Sequence, residues 1–149
     1  MSIIVAGGGG FIGINLINEL LKKKTNIFLL DNFSNGNRLF LKRFENFGSL
    51  KIIECDLSIE DEIFQEIEKI KFQEDSLDEI WHLAANSDIP SGVKDSNIDL
   101  KDTFMTTFGI LSAIKGTSFK SIFFASSSAI YGDHKDVYLS ENIGPLLPI

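Results

Sequence analysis

Ile3-Ile4-Val5-Ala6-Gly7-Gly8-Gly9-Gly10-Phe11-Ile12-Gly13 is the stretch whose reading decides the fold. Residues 3–6 are an apolar run cut off by glycine, the pattern of a short buried strand. From Phe11 onward the apolar residues fall at Phe11, Ile12, Leu16, Ile17, Leu20 and Leu21, a helical spacing. Strand, glycine turn and helix in that order make a phosphate site. Backbone without Cβ can approach a pyrophosphate closely, and the N–H groups of the first helical turn point at its charge. Gly8-x-Gly10-x-x-Gly13 is the dinucleotide fingerprint, and Gly7-x-x-Gly10-x-x-Gly13 is its variant spacing. A merely flexible turn would use the same residues, but the position between strand and helix favours the phosphate site.

Such a site calls for an acidic residue roughly 20 positions later, at the end of the second strand, to bind ribose hydroxyls. Asp31 closes the apolar run Ile27-Phe28-Leu29-Leu30 and stands in that place. A carboxylate there accepts hydrogen bonds from a free 2′-hydroxyl and repels a 2′-phosphate, which favours NAD over NADP.

The 149 residues suit one domain with a substantial core, and 44% hydrophobic content with 13 phenylalanines suits a globular chain. A net charge of −7 argues against a general nucleic-acid binder, which needs a basic face. No apolar stretch reaches the ~18 residues that span a bilayer. The N-terminus lacks the basic region and cleavage site of a signal peptide. A single cysteine, Cys55, cannot form an internal disulfide and reads as a strand-end core residue, so the expected location is the cytoplasm.

Beyond the first helix, residues 26–31 read as a second strand and 32–36 as a turn by composition. Residues 37–46 read as helical with Leu39, Phe40, Phe44 and Phe47 inward. A third strand is expected over 50–55. Ser58 is the expected N-cap of a helix reaching about Lys71, with Asp61 in the acidic third position and Ile63, Phe64, Ile67 and Ile70 as its stripe. A fourth strand covers 78–83, a polar loop 86–92, and a long helix 95–115 with Leu100, Phe104, Phe108, Leu111 and Ile114 as its apolar face. A fifth strand covers 121–125. Strands alternating with helical segments imply an α/β fold with a doubly wound parallel sheet. Right-handed crossovers then give the order 3-2-1-4-5 and put the strand ends at Gly7, Asp31, Asp56, Ala84 and Ser126 on one edge.

These residues resemble the N-terminal part of an extended short-chain dehydrogenase/reductase of the NAD-dependent epimerase/dehydratase family, similar to the UDP-glucose/UDP-galactose 4-epimerases. The resemblance rests on residues 7–13, on Asp-Asn-Phe-Ser-Asn-Gly at 31–36, on Asp56-Leu57, on His-Leu-Ala-Ala at 82–85 and on Ser-Ser-Ser-Ala-Ile-Tyr-Gly at 126–132. It covers nearly the whole chain. It implies an NAD-binding Rossmann domain over 1–149, truncated before the later strands and the substrate domain. It also implies that Gly7, Gly10, Phe11 and Ile12 meet the pyrophosphate, Asp31 and Asn32 the adenosine ribose, and Ser34, Asn35 and Gly36 the adjoining phosphate region. Asp56 and Leu57 would flank the adenine, and Leu83, Ala84 and Ala85 would pass under the cofactor toward the nicotinamide. Ser127 would be the catalytic hydroxyl, with Ser128 next to a nucleotide-sugar substrate, most simply a UDP-sugar. His82 is left as a strand-end residue without a metal or base role. A homo-oligomer is expected, with no nucleic-acid or membrane partner.

Two departures from the family pattern matter. The Asn of an Asn-Val-x-Gly-Thr stretch is replaced where Thr103-Phe104-Met105-Thr106-Thr107 aligns. The Tyr-x-x-x-Lys that supplies the family's base lies about 20 to 25 residues beyond the serine, past the end of this chain. Tyr131 and Lys135 match that motif literally, but Gly132 and Asp133 lie between them in a loop-like stretch and Tyr131 is only four residues from Ser127, so they read as a coincidence. The resemblance thus implies an epimerase of which these 149 residues are inactive alone. A family reductase or dehydratase, or a non-catalytic NAD-binding module, are the alternatives. Ser128-Ala129 stands where family dehydratases carry Asp-Glu, which favours the epimerase.

Overall fold

The computed structural model describes residues 1–74, 76–132 and 138–143. Five parallel strands form one sheet in the order 3-2-1-4-5: β1 (Ser2–Ala6), β2 (Asn26–Asp31), β3 (Leu50–Glu54), β4 (Glu79–His82) and β5 (Ser121–Phe124). β1 is central, pairing with β2 from Ser2↔Asn26 to Ala6↔Leu30 and with β4 from Ile3↔Glu79 to Ala6↔His82. Parallel strands need crossovers, and here these include the helices α1 (Phe11–Lys22), α2 (Glu60–Gln73), α3 (Ile89–Lys94), α4 (Ser96–Asp99) and α5 (Thr106–Ala113).

Both faces of the central strands are covered, so β1 reads as an unbroken apolar run rather than an alternating one. Ile3 and Val5 join Ile27 and Leu29 under Ile14, Ile17, Leu20 and Leu21 of α1. Ile4 and Ala6 join Phe28, Leu30 and Ile80 under Ile63, Ile67 and Ile70 of α2 and Ile110 and Ala113 of α5. Gly109 permits that approach, since a Cβ there would lie 2.7 Å from the Leu57 carbonyl oxygen.

Four local expectations change on folding. The segment after the turn is a 3₁₀ helix, Arg38–Phe44, which buries Leu41 and Phe44 and leaves Leu39, Phe40 and Phe47 exposed. Its tighter three-residue repeat moves the inward positions. Ser58 is not the cap of α2: its hydroxyl and amide both turn back to Asp56 Oδ1, at 2.7 and 3.0 Å, and Ile59 is the cap residue. Phe64 stays exposed beside the buried Ile63, Ile67 and Ile70. The expected polar loop contains α3, which Asp88 caps by accepting the Ser91 amide at 3.2 Å.

The fourth crossover is helical over residues 96–113, with π-helical spacing at Leu100–Met105 between α4 and α5. Its inward face is Thr106, Gly109, Ile110 and Ala113, while Leu100, Phe104, Phe108 and Leu111 are exposed and Ile114 is partly buried against the core. The run has two apolar sides, and the small residues win the sheet because they let the helix sit close.

Candidate functional site

The C-terminal edge of the sheet opens into a cleft of about 490 Å³. The chain turns at this edge at Gly7 after β1, at the carboxylates Asp31 and Asp56 beside the ends of β2 and β3, and at Ala84 after β4. Gly7 leaves β1 at φ 76°, its amide donating to the Leu30 carbonyl at 2.8 Å. A Cβ on Gly7 would lie 2.5 Å from the Ala84 nitrogen, so the first and fourth strand exits touch only because the residue is glycine. Gly13 does the same for α1: a Cβ there would meet Gly8 Cα at 2.6 Å.

α1 then starts at Gly10 with no side-chain cap and no acidic residue in its first turn. Its leading amides have no intrahelical acceptor, and the dipole places partial positive charge at the cleft. That cradle fits the pyrophosphate of a dinucleotide in shape and in sign.

Asp31 ends β2 buried, and both of its oxygens are held by backbone. Oδ2 accepts the Gly9 amide at 2.8 Å and Oδ1 the Phe33 amide at 2.7 Å. A carboxylate offers about four acceptor positions, so two remain for hydroxyl donors. Residues 32–36 fold back over the glycine turn, and a Cβ on Gly36 would lie 3.1 Å from the Gly9 carbonyl.

At the β3 end, Asp56 carries Ser58 on Oδ1 and the Lys101 ammonium at 3.1 Å from Oδ2. Burial pushes the Asp56 carboxyl upward, but the Ser58 hydroxyl and amide and the Lys101 charge overcome it, and the net displacement is below the ordinary carboxylate range. Cys55 beside it is a buried thiol pushed up to about 12, chiefly by burial and then by the surrounding carboxylates. It is therefore protonated and unreactive at neutral pH.

The β4 exit is held from the fourth crossover. Thr103 Oγ1 accepts the Asn86 amide at 3.0 Å, and Thr106 Oγ1 lies 3.5 Å from the Ala84 carbonyl. The threonine at 103 thus ties down the loop after β4 where the family pattern has an asparagine. His82 Nε2 lies 2.8 Å from Thr107 Oγ1, whose proton goes to the Thr103 carbonyl. Nδ1 is buried without a hydrogen-bond partner among the described residues, and burial pushes the imidazole pKa down. His82 is thus tied through Thr107 to the fourth crossover, and no group of three potential metal ligands occurs among the described residues.

Gly7, Gly10, Phe11, Ile12, Asp31, Asn32, Ser34, Asn35, Gly36, Asp56, Leu57, Leu83, Ala84 and Ala85 all line this one cleft. Gly13, Ser87, Asp102 and Thr106 line it as well. Sequence reasoning misses Asp102 and Thr106 because their side of the helix looks like polar surface, although their i, i+4 spacing already puts them on one face. Ser127 and Ser128 lie apart from the lining. They follow β5 on the same sheet edge, exposed, with Ser128 opening the 3₁₀ turn Ser128–Tyr131 and the Ser127 carbonyl accepting the Ile130 amide at 3.2 Å. Lys135 and residues 144–149 lie outside the described residues.

The sheet order and the glycine-lined cleft at its C-terminal edge define a Rossmann-like α/β domain. Residues 3–148 match the NAD dependent epimerase/dehydratase family, and the chain belongs to that family. NAD is the family's cofactor. The UDP-glucose 4-epimerase of Lactobacillus helveticus is 30% identical over 100% of this chain and 42% of its own length. Among solved structures, the UDP-N-acetylglucosamine 4-epimerase of Methanobrevibacter ruminantium superposes with a TM-score of 0.78 at 28% identity, covering 99% of this chain and 44% of that one. The UDP-Glc/GlcNAc 4-epimerase of Campylobacter jejuni gives 0.80 at 25% identity, covering 98% and 43%. The chain therefore spans less than half the length of these relatives.

Proposed function

We propose that this chain is the NAD-binding part of a nucleotide-sugar 4-epimerase, most simply one acting on a UDP-sugar. The observation that carries the reading is the convergence of the fourteen residues above on one cleft at the sheet's C-terminal edge. NAD, when bound, supplies hydride acceptance and return at a sugar carbon. The chain's own part is to hold and orient. The leading amides of α1 and the backbone at Gly7 and Gly10 neutralise the pyrophosphate, and Asp31 and Asn32 hold the adenosine ribose. Ser34, Asn35 and Gly36 close the adjoining phosphate region, and Asp56 and Leu57 flank the adenine. Leu83, Ala84 and Ala85 give the nicotinamide half a floor without long side chains. Ser127 would hydrogen-bond the sugar hydroxyl that loses its proton, and Ser128 would contact the sugar. The working protein would be a homo-oligomer in the cytoplasm.

Titration with NAD and NADP checks the central step. NAD should bind more tightly, because a 2′-phosphate would face the Asp31 carboxylate at short range. Asp31→Ala should narrow the gap by about tenfold, the equivalent of one charge contact of ~1.4 kcal/mol. Equal affinities in the unaltered protein would remove Asp31 from this role.

Turnover gives a second check. The 149-residue chain should leave UDP-sugars unchanged, because Tyr131 sits in a turn immediately after Ser127 rather than on a helix facing it. Turnover that vanishes in Tyr131→Phe would instead make Tyr131 the base.

A further inference from the structure

One charged pair, Arg38 and Glu54, lies outside the cleft lining but in contact with the segment 31–36 that lines it. Phe33, at φ 55°, donates its amide to Asp31 Oδ1. The Arg38 guanidinium lies over the Phe33 ring, 4.4 Å from its centroid. Arg38 Nη2 is also ion-paired with the Glu54 carboxylate at the end of β3. The backbone holds Arg38 near the site, because the Asn37 amide donates to the Gly9 carbonyl at 3.3 Å and a Cβ on Gly36 would lie 3.3 Å from Asp31 Oδ1. Arg38 thus follows by two residues Gly36, which lines the cleft beside Asp31.

A guanidinium is the side chain best matched to a phosphate, which it grips with two parallel hydrogen bonds. Left free at this position, Arg38 would invite a 2′-phosphate and oppose Asp31. It is not free. Glu54 takes its charge and Phe33 takes its face.

We propose that Glu54 is a specificity-determining residue: by holding Arg38 over Phe33, it withholds a guanidinium from a ribose 2′-phosphate and makes the site select the unphosphorylated dinucleotide. The inference rests on the dinucleotide reading of the cleft. It divides selectivity between Asp31, which repels the phosphate, and Glu54, which both repels it and disarms its natural partner. Arg38 and Glu54 side chains are 56% and 61% exposed, so breaking the pair costs the fold little.

The test is equilibrium binding of NAD and of NADP to the unaltered protein, to Glu54→Gln and to Glu54→Gln/Arg38→Met, with melting temperatures as a folding control. Glu54→Gln should tighten NADP about tenfold and change NAD less than twofold, because one repulsive charge goes and one phosphate-binding cation is released. The double variant should lose the gain, and in Glu54→Gln the gain should shrink in high salt. If the unaltered protein binds NAD while Glu54→Gln leaves the NAD-to-NADP ratio unchanged, the inference falls and the dinucleotide reading stands. The inference also falls if the gain survives in the double variant. If the unaltered protein binds neither dinucleotide, the reading falls and takes the inference with it.

Discussion

Gly7→Ala should lower the melting temperature by about 10 °C and abolish protection by NAD. Two costs combine. An L-residue at the positive φ of 76° costs ~1–2 kcal/mol. The new methyl would also lie 2.5 Å from the Ala84 nitrogen and 2.8 Å from the Leu83 carbonyl carbon, which are backbone atoms of the β4 exit and cannot rotate away. Overpacking of that kind adds ~1–3 kcal/mol. A total of about 2–5 kcal/mol is a large share of the stability of an ordinary domain, and at this chain length each kcal/mol moves the midpoint by ~2–4 °C. Gly48→Ala is the control, since nothing lies within 4 Å of a Cβ there and its φ is not positive. It should melt at or slightly above the parent temperature. A Gly7→Ala protein that melts with its parent would refute the described contact between the two strand exits.

The 149-residue chain should also self-associate, and Phe104→Asp/Leu111→Asp should return it to monomer. Leu100, Phe104, Phe108 and Leu111 are 54%, 59%, 44% and 51% exposed along one helical side, with the Phe104 and Phe108 rings stacked at 6.3 Å. β5 pairs only with β4 among the described residues and carries Ile122, Phe123 and Phe124 partly exposed, Phe123 stacking on Trp81 at 4.2 Å. Apolar patches and open strand edges both recruit a second chain. At ~25 cal/mol per Å², covering several such side chains stabilises an assembly by several kcal/mol before the costs of association. The aspartates replace exposed residues, so the melting temperature of the monomer should hardly move. Sedimentation of the parent chain as a clean monomer at high concentration would sink the prediction.

The cleft shows how far residue patterns reach. Gly7 to Gly13 fix a strand, a turn and a helix in immediate succession, and Asp31 closes the next apolar run. Once those units alternate, the handedness of crossovers leaves few sheet orders, so 3-2-1-4-5 was legible from the chain alone. Gly7, Asp31, Asp56 and Ala84 were legible as lining positions for the same reason, because a parallel sheet brings its strand ends to one edge, and the other lining positions came from the family resemblance.

What the chain's order could not decide is which surfaces would find partners. Periodicity reports that residues 96–113 have apolar positions, and two sides of that helix qualify. Only packing showed that Gly109, Ile110 and Ala113 take the sheet and that Phe104, Phe108 and Leu111 face out. Ser58 matched a capping pattern, yet the Asp56 carboxylate two residues earlier competed for its hydroxyl and won. The Lys101–Asp56 and Arg38–Glu54 pairs join separate elements and left no local signal. Local sequence thus determined the elements, their order and the edge where the cleft opens. The tertiary structure decided helix faces, capping partners and charge pairings, because each of these is a competition between groups that are distant along the chain and meet only when it folds.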